Sequence, residues 1–163
     1  MKILGIDIDT KNLTCSLFDG DELKGYFIFS SKEKTWGKRF DEIIPAFEQF
    51  LKQLKEDNQI DYIIAEEPLF IQNALSSISL SVFLGACRTV ARQLNIPFRS
   101  VHNMTWKKEI IGNGRASKDE IYQKIVQIYP QLEDCKSQHI VDSTGIALFL
   151  VKKVKEDAKM FEL

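Results

Sequence analysis

The run MKILGIDIDT is apolar except for Lys2, Thr10 and two acids, Asp7 and Asp9, placed along what reads as a strand. An unpaired carboxylate in a low-dielectric interior is strongly disfavoured, so this stretch is either half solvent-exposed or holds a cation. A second run, DYIIAEE, is a short apolar strand ending in Glu66 and Glu67. If the two strands are parallel neighbours, Asp7 and Glu66 meet near one end of the sheet, where sites in open α/β sheets gather. Strand alternation lets only one of Glu66 and Glu67 share that face. The competing expectation is that both glutamates simply cap a strand at the surface.

The third group is in SQHIVDSTGIALFL, where His139 and Asp142 are three residues apart and so share one helical face. Ile146 and Leu150 extend that face, which predicts a helix packed on the sheet with its polar end beside the strand ends. A lone histidine is more often a hydrogen-bonded structural group than a ligand, but an acid at this spacing strengthens the case for a ligand. Carboxylates with one imidazole suit magnesium or manganese better than zinc. A histidine acting as ligand or general base implies activity falling below about pH 6.5.

From Arg99 to Lys118 the chain carries Arg99, Lys107, Lys108, Arg115 and Lys118 against one acid, Glu109. Gly112 and Gly114 flank Asn113 there, a composition that lets backbone N–H groups come close to a phosphate. Trp106 adds a stacking or packing face. A solvated charged face is the plainer alternative. In a chain of net charge -1 a local basic surplus beside glycines favours phosphate contact.

The elements that must position these groups follow from periodicity. KILGIDID reads as a strand with Leu4, Ile6 and Ile8 on one face and Ile3, Gly5, Asp7 and Asp9 on the other. Two more alternating runs follow, joined by the turn signal Asp19-Gly20-Asp21. Residues 35–56 repeat apolar positions at three and four, a helix that Pro45 is expected to bend or restart. Residues 73–94 form the longest helix, with Leu75, Ile78, Leu80, Val82, Phe83, Leu84, Val90 and Leu94 going most of the way round its axis. Such a helix is buried on more than one side, which calls for a partner beyond the sheet. IPFRSVH reads as a fifth strand, residues 117–129 as a helix, and a last helix begins near His139.

Three antiparallel strands followed by helix–strand–helix–strand–helix is the element order of a ribonuclease H-like α/β fold. It equally fits half of an actin-like ATPase. At 163 residues a single domain spanning 1–163 is expected, with 44% hydrophobic and 28% charged residues in the ordinary globular range. Cys15, Cys87 and Cys135 are widely spaced and form no CxxC pair, which argues against a disulfide framework or a zinc site. No signal-peptide pattern or membrane span is apparent in the sequence, so a cytoplasmic location with no membrane partner is expected.

The pieces ILGIDIDT, AEEPLFIQNA, WKKEIIGNGRASKDEI and HIVDSTGIA resemble the RuvC-type Holliday-junction resolvases over residues 2–152. The Gly-x-Gly-Arg-Ala-x-Lys pattern is the most specific of them. The resemblance implies a ribonuclease H-like nuclease in which Asp7, Glu66, His139 and Asp142 hold two Mg2+ or Mn2+ ions, Asp7 bridging the pair. It implies symmetric cutting of four-way and other branched DNA, leaving 5′-phosphate nicks, by a homodimer formed through helix 73–94. It places Lys107, Lys108, Arg115 and Lys118 on junction phosphates and Phe70 beside DNA; a branch-migration motor is left open as a partner. The chain departs from the family pattern at three places. Asp7-Ile8-Asp9-Thr10 replaces the common Asp-Pro-Gly, His139 stands where many members have a carboxylate, and Leu69 then Phe70 occupy the region of a frequent aromatic. No role follows for Asp9. Two other readings stand beside this one: an actin-like nucleotide-binding ATPase module, which needs a second similar domain, and a branched-DNA protein that binds without cutting.

Overall fold

Alternating apolar residues make the sheet. In the computed structural model, which describes residues 1–68 and 74–161, the chain runs β1 (Lys2–Ile8), β2 (Asn12–Asp19), β3 (Glu22–Ser30), α1 (Trp36–Glu56), β4 (Tyr62–Glu66), α2 (Ala74–Gln93) and β5 (Phe98–Val101). It then continues through α3 (Asn103–Ile111), α4 (Lys118–Ile128), a 3-10 turn (Pro130–Leu132) and α5 (Gln138–Phe161). The strands lie in the order β3-β2-β1-β4-β5. The first three are antiparallel, and β4 and β5 join parallel. This is the mixed sheet expected of the ribonuclease H-like element order.

The two faces of β1 serve two cores. Leu4 and Ile6 pack with Ile43, Phe47 and Leu51 of α1 and Phe83 and Cys87 of α2. Ile3 faces the opposite side, where Ile140, Val141, Ile146, Ala147 and Leu150 of α5 meet Trp106, Ile121 and Ile125. Gly5 sets how near α5 comes. A Cβ there would lie 2.3 Å from the Ser143 carbonyl oxygen and 2.6 Å from Ala147 Cβ, so only hydrogen fits. The approach also buries hydroxyls: Ser16 Oγ of β2 lies 2.7 Å from Ser143 Oγ and 3.0 Å from Thr144 Oγ1. Those polar atoms satisfy one another, so burying them leaves no unpaired donor.

Three local expectations change. Pro45 lies inside a continuous α1, so it does not restart the helix. Residues 41 and 45 are both exposed, so the carbonyl that loses its partner faces water. Residues 103–111 form α3, which periodicity did not predict; the helix is nine residues long and buries only Trp106 and Ile110. By length and composition alone, α2 is long enough and apolar enough to cross a membrane, contrary to the sequence expectation. It packs against the sheet through Phe83, Cys87, Val90 and Ala91. Leu75, Ile78 and Val82 remain 60%, 55% and 39% exposed, so the surplus apolar face expected from the sequence is present.

Candidate active site

The parallel register pairs Ile6 with Ala65, so Asp7 and Glu66 follow one step later on adjacent strands. Both continue the alternation that turns Ile3 and Ile64 toward α5. Glu66 is held from two directions. The Trp106 indole N–H donates to its Oε2 at 2.6 Å, and Asn103 Nδ2 donates to Oε1 and Oε2 at 2.9 and 3.0 Å. Trp106 is fully buried and lies against Gly145 of α5, where a Cβ would come within 2.6 Å of the ring. Glu67 turns to separate partners, accepting from Ser100 Oγ at 2.8 Å and pairing with His102 Nδ1 at 2.9 Å.

The first turns of α5 bring the third group. His139 Nδ1 lies 2.7 Å from Asp7 Oδ2, and its Nε2 lies 2.9 Å from Asp9 Oδ2. Asp142 accepts from Gln138 Nε2 at 2.9 Å. The electrostatics tie the acids together. Burial, then the charges of Asp7 and Glu66, push Asp142 up to about 6 against the opposing Gln138 hydrogen bond and Lys107. Burial, its largest influence, raises Glu66, and Asp7 adds to this while Trp106 and Asn103 oppose it. His139 is raised to about 10, first by its hydrogen bonds to Asp7 and Asp9. Asp9 is lowered to about 2: burial raises it, but His139 and the N–H groups of Lys11 and Asn12 together outweigh burial. Without a cation in the site, the two carboxylates therefore favour the protonated imidazole above the range of an ordinary histidine.

Asp7, Glu66, His139 and Asp142 thus share one end of the sheet and one electrostatic field. Among the described residues no three His, Cys, Asp or Glu side chains converge closely enough to grip one ion as they stand. The reason is local. Glu66 is engaged by Trp106 and Asn103, Asp142 by Gln138, and the His139 imidazolium occupies the space between two carboxylates. The donor chemistry still fits a hard divalent cation, because Asp7 raises the proton affinity of Glu66 and of Asp142 and, among the described residues, Lys107 only partly offsets this.

The basic segment borders this site. Lys107 Nζ sits over the Trp106 ring, 5.6 Å from its centroid. Lys108 and Arg115 line an open cleft of about 590 Å³ with Met104, Thr105, Glu109, Asn113 and Gly114. Lys118 is exposed at the start of α4. Glu109 is drawn away by Lys152 and Lys153 at 2.5 and 3.3 Å. The expected role of the backbone N–H groups is not available to most of the loop. Gly112 N–H donates to Lys108 O, Arg115 N–H to Asn113 Oδ1, Ala116 N–H to Asn113 O, and Ser117 N–H to Glu120 Oε2. The glycines close a compact turn, with Gly112 at φ 91°, and the side-chain cations are left to meet an anion. Phe70 lies outside the described residues.

Sequence reasoning missed Asn103 and Gln138; it read Trp106 as a stacking or packing face, and the ring is packed, while its N–H donor to Glu66 was not foreseen. No local pattern marks a side chain that orients an acid 40 residues away.

The strand order, three antiparallel strands with two more joined in parallel, defines a ribonuclease H-like α/β fold. The model of the family Crossover junction endodeoxyribonuclease RuvC matches residues 3–150, and the chain belongs to that family. The Sulfurovum RuvC is 26% identical over 155 residues, covering 95% of this chain and 98% of the relative. Among solved structures, Thermus thermophilus RuvC superposes with TM-score 0.73 at 20% identity, over 91% of this chain and 92% of that one. The same protein in complex with a Holliday junction substrate gives TM-score 0.75 at 19% identity, over the same shares. At these identities the two structures establish the shared fold.

Proposed function

We propose that this crossover junction endodeoxyribonuclease resolves four-way DNA junctions by metal-dependent phosphodiester hydrolysis at Asp7, Glu66, His139 and Asp142. The observation that carries this reading is the meeting of those four groups, from β1, β4 and α5, at one end of the sheet. Asp7, Glu66, His139 and Asp142 would hold the divalent cations, two Mg2+ or Mn2+ ions in this reading. Such ions supply water activation and stabilise charge on the leaving 3′ oxygen. The protein's own part is orientation. Trp106 and Asn103 hold Glu66, Gln138 holds Asp142, and Lys107 offsets negative charge beside both acids. Lys108, Arg115 and Lys118 contact junction phosphates.

The exposed Leu75, Ile78 and Val82 of α2 are the surface through which a second copy docks, placing two sites symmetrically for paired cuts. The enzyme works in the cytoplasm, where its DNA substrate is. Cleavage of a synthetic four-way junction, mapped on both strands with magnesium or manganese, tests the reading. Asp7→Asn should abolish cutting and preserve junction binding. Unchanged cutting would remove Asp7 from the site, and binding with no cutting by the wild type would favour a binding-only role.

A further inference from the structure

Asp9 lies beside the site, and the site as described gives it no task. Its surroundings do. Asp9 Oδ2 lies 2.9 Å from His139 Nε2 and accepts from Asn12 Nδ2 at 3.2 Å. Oδ1 accepts the backbone N–H of Lys11 and, at 3.1 Å, that of Asn12. The Asp9 N–H closes the same turn on the Asn12 carbonyl at 2.9 Å. A carboxylate offers about four acceptor positions, and these four donors occupy them, so Asp9 is a fixed acceptor with little capacity left to serve as a ligand. On the other side of the ring, Nδ1 faces Asp7 at 2.7 Å.

An imidazole that binds a cation through one nitrogen carries its hydrogen on the other, and the acceptor of that hydrogen sets both tautomer and ring orientation. We propose that Asp9 is a positioning residue: it holds His139 Nε2–H, so that the ring presents Nδ1, on the side of Asp7, to a divalent cation. This rests on the reading of His139 as a ligand. An imidazole needs such an orienting acceptor because it has two distinct ring nitrogens, one of which must carry the hydrogen. Asp9 also shapes the β1–β2 turn, so its effect on the ring must be separated from an effect on folding.

The chain has two histidines, and His102, paired with Glu67, is an internal control for imidazole nitrogen NMR. In 15N-labelled protein saturated with magnesium, His139 should show a protonated Nε2 and an unprotonated Nδ1. Asp9→Asn keeps an acceptor for the turn, and Asp9→Gly removes it; both should retain a cooperative thermal transition. Calorimetry with manganese should find affinity lowered roughly 10- to 100-fold in Asp9→Gly, the range typical of lost orienting carboxylates. Asp9→Asn should fall between that variant and the wild type. A bare Nε2 with the hydrogen on Nδ1 overturns the proposal. So does wild-type manganese affinity in Asp9→Gly when His139→Ala loses affinity. Wild-type affinity in His139→Ala removes the ligand reading itself, and this inference with it.

Discussion

The Trp106 indole N–H donates to Glu66 Oε2 at 2.6 Å while the ring seals against Gly145 of α5. One buried side chain thereby joins the third segment of the site to the second and fixes the direction of a carboxylate whose burial raises its proton affinity. Trp106→Phe keeps an aromatic ring but removes the donor and leaves a gap. We expect about 2–4 kcal/mol lower stability, and junction cleavage slowed on the order of tenfold as Glu66 loses one of two orienting contacts. Denaturant melts and single-turnover cleavage check the two effects. Unaltered cleavage in folded Trp106→Phe would reduce the tryptophan to core packing.

Asp142 gives the clearest pH dependence. Its carboxyl is raised from 3.8 to about 6 in the fold, by burial first and then by Asp7 and Glu66. A raised carboxyl contributes stability that is fully present below its unfolded value and lost as pH rises through the folded one. Between about pH 4 and 6, the metal-free protein should therefore lose stability on this account. Asp142→Asn, which carries no charge, should be more stable than the wild type at pH 7 without metal, by about 1–3 kcal/mol, and should lose cleavage. Thermal melts from pH 4 to 8 in chelator test this; equal stability of the two proteins across the range would refute it.

Gly5→Ala should be costly in a position otherwise suited to alanine. The added methyl meets backbone and Ala147 Cβ, neither of which can rotate away. We expect destabilisation of about 3 kcal/mol or more, and weaker cleavage from whatever folds, since α5 carries His139 and Asp142. A stability unchanged within error would mean that α5 slides on the sheet more freely than its packing indicates.

The loop between α3 and α4 spends most of its N–H groups on its own turn, so phosphate contact falls to side chains. Lys108→Ala and Arg115→Ala should each weaken junction binding and reduce the slope of log affinity against log salt by about 1. Fluorescence anisotropy at several salt concentrations measures both. An undiminished slope would place the phosphates elsewhere.

Much of this was legible in the sequence because periodicity is a local property. The alternation in KILGIDID placed Asp7 on the face of Ile3 and Gly5, and the three-residue spacing put His139 and Asp142 on one face of α5. What escaped depends on contacts between distant elements. Asn103 and Trp106 orient Glu66 from a nine-residue helix with too short an apolar stripe to announce itself. Asp9 looked superfluous because its partner is more than a hundred residues away. Pro45 looked disruptive because the sequence does not say which carbonyl faces water. The glycine loop looked like a phosphate cradle because composition does not show which N–H groups the turn itself consumes.

The contact between His139 and Asp7 closes a loop of 132 residues. The arrangement proposed for the site therefore forms only once α5 has docked on β1, so a change anywhere in that interface, however far from the acids, should reach the proposed chemistry through the position of His139.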